Sequence, residues 1–165
     1  MLPLWLLAAT RYELITESKT ALQILRKEHP SAKYYLDRAV ALLVFPNVYK
    51  AGIGIGGEYG EGVLFEGGNV KAFYNIVTLS VGFQLGVQKK SIVLVFLDRR
   101  AYEKFLHSEG FKIGVDGSVA VIKWGVGEEV SNLNINKPIV AFVFNNKGLM
   151  YNLTLEGSKI TRIEK

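Results

Sequence analysis

The chain has 165 residues, 49% of them hydrophobic, with 17 glycines, no cysteine and a formal charge of +5 at pH 7. This length suits one domain with a sizeable core, and the apolar content excludes a disordered polymer. A chain without cysteine has no disulfide framework and no thiolate metal site, while the positive balance favours an anionic surface, phospholipid or nucleic acid, without choosing between them.

Met1-Leu-Pro-Leu-Trp-Leu-Leu-Ala-Ala9 is apolar but shorter than the ~20 residues that cross a bilayer. An apolar core followed by small residues has the form of the end of a secretory signal without its basic leader. Residues 1–9 are therefore read as a signal remnant or N-terminal extension, and residues 10–165 as a single domain. Thr10-Arg-Tyr-Glu13 then forms a capping box. Leu14, Ser18, Ala21, Leu22 and Leu25 fall on one helical face, and Pro30 ends that helix. A shorter helix is expected from Ser31 to about Arg38. These helices either cover one face of a sheet or lay the first helix on a membrane surface.

Ala39 to Phe45 reads as a buried strand, and Pro46-Asn47 as a turn. Lys50-Ala-Gly-Ile-Gly-Ile-Gly56 alternates glycine with isoleucine. That period of two places Ile53 and Ile55 on one strand face, and Lys50 with three bare glycines on the other. Val81-Gly-Phe-Gln-Leu-Gly-Val-Gln88 repeats the pattern. Glycines within a strand permit close approach or a sharp bend. Gly52-x-Gly54-x-x-Gly57 matches the dinucleotide fingerprint, but that chemistry needs a helix beginning at the loop. Here Tyr59-Gly60 reads as a turn and Val63-Leu-Phe65 as a strand.

Glu66-Gly-Gly-Asn69 is a hairpin signal, leading into a strand from Lys71 to Leu79. Ile92 to Leu97 is apolar on both faces and belongs at the centre of the sheet. Asp98 caps a helix that carries Tyr102, Phe105 and Leu106 and closes near Gly110. Val119–Ile122, Ile139–Phe144, Leu149–Leu155 and Ile160–Ile163 complete the strands, with turns at Asn145-Asn-Lys-Gly148 and Glu156-Gly157. Many strands joined by turns require antiparallel neighbours. The expected class is α+β: a strongly curved, barrel-like antiparallel sheet with about three helices packed on it.

Catalytic constellations are sparse. His29 and His107 lack ligand-spaced partners, so no metal is expected. Glu58 and Glu61 form an acid–base pair on paper, but a glycine turn solvates both. Asp116-Gly-Ser118 is a tight-turn sequence with no base placed beside it. The cations are more informative. From Lys89 to Lys112 there are six basic and three acidic residues. Lys89 and Lys90 precede one strand, and Arg99 and Arg100 follow it. They are either a solvated surface or contacts for lipid phosphate, grouped as one patch or two. Lys50, on the glycine face, either meets an anionic head group or snorkels past a ring.

Taken in order, Val44-Phe-Pro46, Lys50-Ala-Gly-x-Gly-x-Gly-Gly57, Gly60-x-Gly62, Ser80-x-Gly-x-Gln-x-Gly86, Gly114-x-Asp-Gly-Ser-Val-Ala120 and Asn146-Lys-Gly-Leu149 through Leu155-Glu-Gly157 resemble the SYLF domain family of lipid-binding proteins. The resemblance runs from about Ala21 to the C-terminus. Where eukaryotic relatives carry Trp-Ser-x-Pro, this chain has Ala72-Phe-Tyr-Asn-Ile76, which is similar to the bacterial branch. The resemblance implies a non-enzymatic phospholipid-binding domain, peripheral to a bacterial envelope membrane, without a cofactor. Its expected partner is an anionic phospholipid or membrane surface and not nucleic acid, and any protein partner is open. Lys50, Lys89, Lys90, Arg99 and Arg100 are the expected lipid contacts. The expected location is the periplasm or envelope after export, with the cytoplasm as the alternative. The rival function is a structural or protein-interaction domain with incidental lipid association.

Overall fold

The computed structural model describes residues 10–51, 57–79, 89–123, 136–147 and 155–165. The glycine-alternating segments at 52–56 and 81–88, and all of the strand expected at Leu149–Leu155 except Leu155, lie outside the described residues.

Helix α1 spans Arg11–Glu28, and the Thr10 hydroxyl accepts a hydrogen bond from the Glu13 amide at 3.1 Å. Pro30 starts a 3-10 turn, Pro30–Ala32, which runs into helix α2, Lys33–Asp37. Eight strands follow among the described residues: β1 (Ala41–Ala51), β2 (Gly57–Glu66), β3 (Asn69–Leu79), β4 (Lys89–Phe96), β5 (Phe111–Lys112), β6 (Val119–Lys123), β7 (Ile139–Lys147) and β8 (Lys159–Ile163). Helix α3, Arg99–Leu106, lies between β4 and β5, and the Asp98 carboxylate caps it by accepting from the Ala101 amide at 3.3 Å.

The strands form one sheet in the order β5-β8-β3-β2-β1-β4-β7-β6. Neighbours are antiparallel except β6 and β7, which run parallel. The expected antiparallel sheet is thus found, with one parallel pair added where more than a dozen residues of sequence separate β6 from β7. The sheet curls into a half-barrel, with β5 and β6 at its edges among the described residues. Strand β4 lies between β1 and β7 and is buried from Lys90 to Phe96, as its two apolar faces required.

Two turn expectations also change. β2 runs straight through Tyr59-Gly60, so a strand and not a helix follows Gly57, which removes the dinucleotide reading. Pro46-Asn47 does not turn the chain but makes a β-bulge inside β1. The register steps from Val44↔Val63 to Asn47↔Glu61 on one side, and from Phe45↔Ile92 to Val48↔Lys90 on the other. Proline has no amide to give to a ladder, so a central strand admits it only at such a bulge. The buried Ser91 hydroxyl satisfies the Pro46 carbonyl at 2.8 Å. The hairpin at Gly67-Gly68 forms as expected, with φ of 59° and 81°, the positive pair that a tight two-residue turn needs. β7 continues through Asn145, which sits at φ 55° within a second bulge where Lys89↔Lys147 steps to Ser91↔Phe144.

Each sheet face is covered. On the outer face, Val44, Val63, Phe73, Val93 and Phe142 are buried beneath Leu14, Ala21 and Leu25 of α1 and Tyr35 and Leu36 of α2. The apolar stripe of α1 is thus spent on the core, the first of its two expected roles. On the inner face, Phe45, Leu64, Ile76, Leu94 and Phe96 meet Tyr102 and Phe105 of α3. The Phe105 ring lies 4.9 Å from Phe96, 5.0 Å from Tyr74 and 5.2 Å from Phe111, centroid to centroid. Such ring pairs add roughly 0.5–1.5 kcal/mol each beyond area burial.

Gly60 and Gly62 lie under the β1 bulge. A Cβ at Gly62 would stand 2.5 Å from the Val44 carbonyl oxygen and 2.6 Å from the Phe45 ring, and one at Gly60 would stand 2.9 Å from the Asn47 carbonyl oxygen. Backbone cannot yield as a flexible side chain can. At Gly110 the obstruction is only the Lys159 side chain, whose Cε would lie 2.6 Å away. Accordingly G62A is expected to lose about 3 kcal/mol or more of stability, or fail to fold, while G110A stays within about 0.5 kcal/mol of the parent. Urea denaturation of the two variants checks this, and equal midpoints would contradict the close-approach account.

Candidate functional site

Strands β1, β3 and β7 end, and β2, β4 and β8 begin, at the same end of the sheet. The pairings Ala51↔Gly57, Gly57↔Leu79, Tyr49↔Lys89, Lys89↔Lys147 and Val77↔Lys159 mark it. Six buried polar or charged residues occur among the described residues: Ser18, Glu58, Thr78, Lys90, Ser91 and Ser158. Four of them, Glu58, Thr78, Lys90 and Ser158, gather on the inner face at this end and form a polar layer beside the apolar core.

The Lys90 ammonium donates to the Glu58 carboxylate at 2.5 Å, with the two side chains 0% and 7% exposed. Glu58 faces Thr78 across the β2–β3 ladder, and the Thr78 and Ser158 hydroxyls share a hydrogen bond of 2.7 Å. Lys90 turns inward because it alternates in step with Ile92 and Leu94 of β4, and the bulges of β1 and β7 lie on either side of it. Burial pushes its pKa down, and the Glu58 carboxylate beside it acts in the opposite direction. Both charges would be costly alone in this setting.

The expectation of solvated carboxylates at Glu58 and Glu61 is therefore corrected. Glu61 pairs with Lys165 at 2.9 Å, their side chains 9% and 12% exposed, and accepts from the Tyr59 hydroxyl at 3.2 Å. Three residues apart on one strand, Glu58 and Glu61 point to opposite faces. They cannot share a reacting atom, so the acid–base pair is not assembled.

The five expected lipid contacts separate. Lys90 is buried and turned inward. Lys89 points outward, half-buried, with its ammonium 6.0 Å from the centre of the Tyr49 ring. Lys50 is exposed at the same end, in register with Glu58. Arg99 and Arg100 are exposed at the opposite end, where α3 begins. Arg99 lies 3.4 Å from Glu103 and 3.9 Å from Glu66. The eight residues of β4 set the two groups roughly 25 Å apart, so they make two sites and not one.

The sequence reading missed Leu79, which is 79% exposed at the end of β3. It also missed Thr78 and Ser158, although the alternation of β3 puts Thr78 in line with the buried Tyr74 and Ile76. On the outer face, burial and then the Glu17 charge push the Tyr49 phenol up, and burial and then the Glu61 charge do the same for Tyr59. No group of three or more histidine or acidic side chains that could hold a metal occurs among the described residues.

The curled sheet is thus covered by helices on both faces and carries a buried polar layer, with its Lys90–Glu58 ion pair, at one end. Residues 77–165, just over half of the chain, match the Ysc84 family, described as "Las17-binding protein actin regulator". The chain belongs to this family, the SYLF domain family, whose members are lipid-binding and actin-regulator-related domains and not a known enzyme family. No curated protein sequence matches the chain.

Removing one partner of the buried pair strands the other charge. E58L and K90M are each expected to lose about 3–5 kcal/mol, while the double variant recovers most of that loss. A double-mutant cycle in urea measures the coupling, and additive losses would show that the pair contributes no mutual neutralisation.

Proposed function

We propose that the protein is a non-enzymatic phospholipid-binding domain that associates peripherally with a membrane. The observation that carries this reading is that Lys89 and exposed Leu79 lie on the outer face at one end of the sheet, with Lys50 exposed at the same end on the inner face, in a chain of net charge +5. Cations beside an exposed apolar side chain suit a bilayer surface, where each basic residue adds about 1 kcal/mol of attraction to anionic lipid. No helix among the described residues is long and apolar enough to cross a membrane. The family's lipid-binding character supports the same reading. Lys50 and Lys89 are its lipid contacts. Lys90 supports them from within, while Arg99, beside Glu66 and Glu103, and Arg100 stand apart at the far end and are not part of this contact. The signal-like residues 1–9 support export, with the domain acting at a bacterial envelope membrane. A second reading, a protein-interaction domain, draws on the family's description as a Las17-binding actin regulator.

Vesicle flotation discriminates these readings. Binding is expected to rise with anionic lipid and to fall as salt goes from about 0.1 to 1 M, where the Debye length shrinks from ~10 to ~3 Å. Binding indifferent to both would remove the electrostatic mechanism. Absence of vesicle binding at any composition would favour the protein-interaction reading.

A further inference from the structure

The cation at Lys89 is one member of a longer row. The register runs Lys112↔Lys159 from β5 to β8, Lys159↔Val77 to β3, Val77↔Tyr59 to β2, Tyr59↔Tyr49 to β1 and Tyr49↔Lys89 to β4. Directly opposed residues in antiparallel ladders share a face. The row therefore crosses six strands on the outer face as Lys-Lys-Val-Tyr-Tyr-Lys. The inner-face neighbours Phe111, Ile160 and Ile76 are buried in the core, which fixes the row as outward. Helix α1 covers the outer face further along the strands, over Val44, Val63 and Phe73, while on the row Lys112, Lys159 and Val77 are exposed and Tyr49, Tyr59 and Lys89 partly exposed.

The exposed apolar side chains point to the same place. Of the five large hydrophobic residues exposed among the described residues, Tyr12, Tyr34, Val77, Leu79 and Val115, three line one groove. Val77, Leu79 and Val115 share it with Lys112 and Lys159, in a volume of about 510 Å³. The other two lie on the helices, and Tyr34 is covered by the Arg38 guanidinium at 3.5 Å. One acid, Asp116, also lines the groove, beside Lys112 and Lys159. Glu17 accepts from Asn47, Glu61 pairs with Lys165, and Asp116 accepts from the Lys112 amide at 2.7 Å. The row itself contains no acid.

We infer that this outer rim, from Lys112 and Lys159 through Val77, Tyr59 and Tyr49 to Lys89, is the face that seats on an anionic bilayer, with Leu79 and Val115 entering below the head groups. The inference rests on the lipid-binding reading and adds the docking face and its orientation. Tyrosine suits the head-group level of a membrane, where its ring is half solvated. Lysines around an apolar centre keep their ammonium groups at the phosphates while their stems lie along the apolar surface. The arrangement holds α1 and the Arg99–Arg100 end away from the bilayer.

Because the chain has no cysteine, single cysteines can be labelled cleanly in the full chain. An environment-sensitive dye at L79C is expected to shift to shorter wavelength on phosphatidylcholine vesicles containing phosphatidylserine, and to be quenched by lipids labelled in the acyl chain. Dyes at Y12C and R100C are expected not to respond. K112Q/K159Q is expected to weaken vesicle binding about 25-fold, from roughly fivefold per lysine, with an unchanged urea midpoint. R99Q/R100Q is expected to bind like the parent. Parent-like binding by K112Q/K159Q, or a dye response at positions 12 or 100 and not at 79, would overturn this face and leave lipid binding standing. Failure of the parent to bind any vesicle would overturn both.

Discussion

Where two backbones come unusually close, beneath the β1 bulge, the architecture is decided. Phe45 and Val48 both belong to the inner core although three positions separate them. Without the extra residue at Pro46-Asn47, the alternation of β1 would turn Asn47 into the core and Val48 out of it. The bulge keeps the apolar set inside on either side of the proline. It brings the bulged backbone down on β2, which can receive it only because Gly60 and Gly62 have no side chains there. It also delivers Asn47 to the helix side, where its amide donates to Glu17 of α1 at 2.8 Å. The path of the sheet and the docking of its principal helix share one local device.

The two ends of the sheet differ in character for related reasons. At the end where α3 starts, cations are answered on the surface: Glu66 lies within ion-pair reach of Lys71 and Arg99. Pairs this exposed are worth little, roughly 0–1 kcal/mol. At the other end, buried Lys90 is answered inside by Glu58, while the outward cations flank tyrosines and aliphatic side chains. The interior pair and the outward row occupy alternate positions of the same strands, so Lys90 and Lys89, adjacent in sequence, serve opposite faces.

Local chemistry was legible in the sequence. The caps at Thr10 and Asp98 and the turn at Gly67-Gly68 depend on residues within a few positions of one another, and each was read correctly. Strand β4 was legible as central because no polar face appears between Ile92 and Phe96. The misreadings share a cause. Pro46-Asn47 and Tyr59-Gly60 carry turn-forming residues, but which of these bends the chain and which merely admits a neighbour depends on strands paired across the sheet. The burial of Glu58 was hidden in the same way. A carboxylate among glycines reads as solvated until its partner, 32 residues further along the chain, is brought opposite. The row on the outer rim draws its members from six strands, and no spacing along the sequence contains it.

The placement of β8 has a consequence for how the molecule is made. The strand spanning Lys159–Ile163 lies between β3 and β5, and β5 has no other strand partner among the described residues. During synthesis, β3 and the stretch from α3 to β5 leave the ribosome long before the strand that must lie between them. Until it arrives, the flank of β3 offers unpaired amides and carbonyls to any passing chain. The nascent protein must therefore carry an open sheet edge until almost its last described residues appear, a window in which a chaperone holding that flank would decide how much of it reaches the folded state.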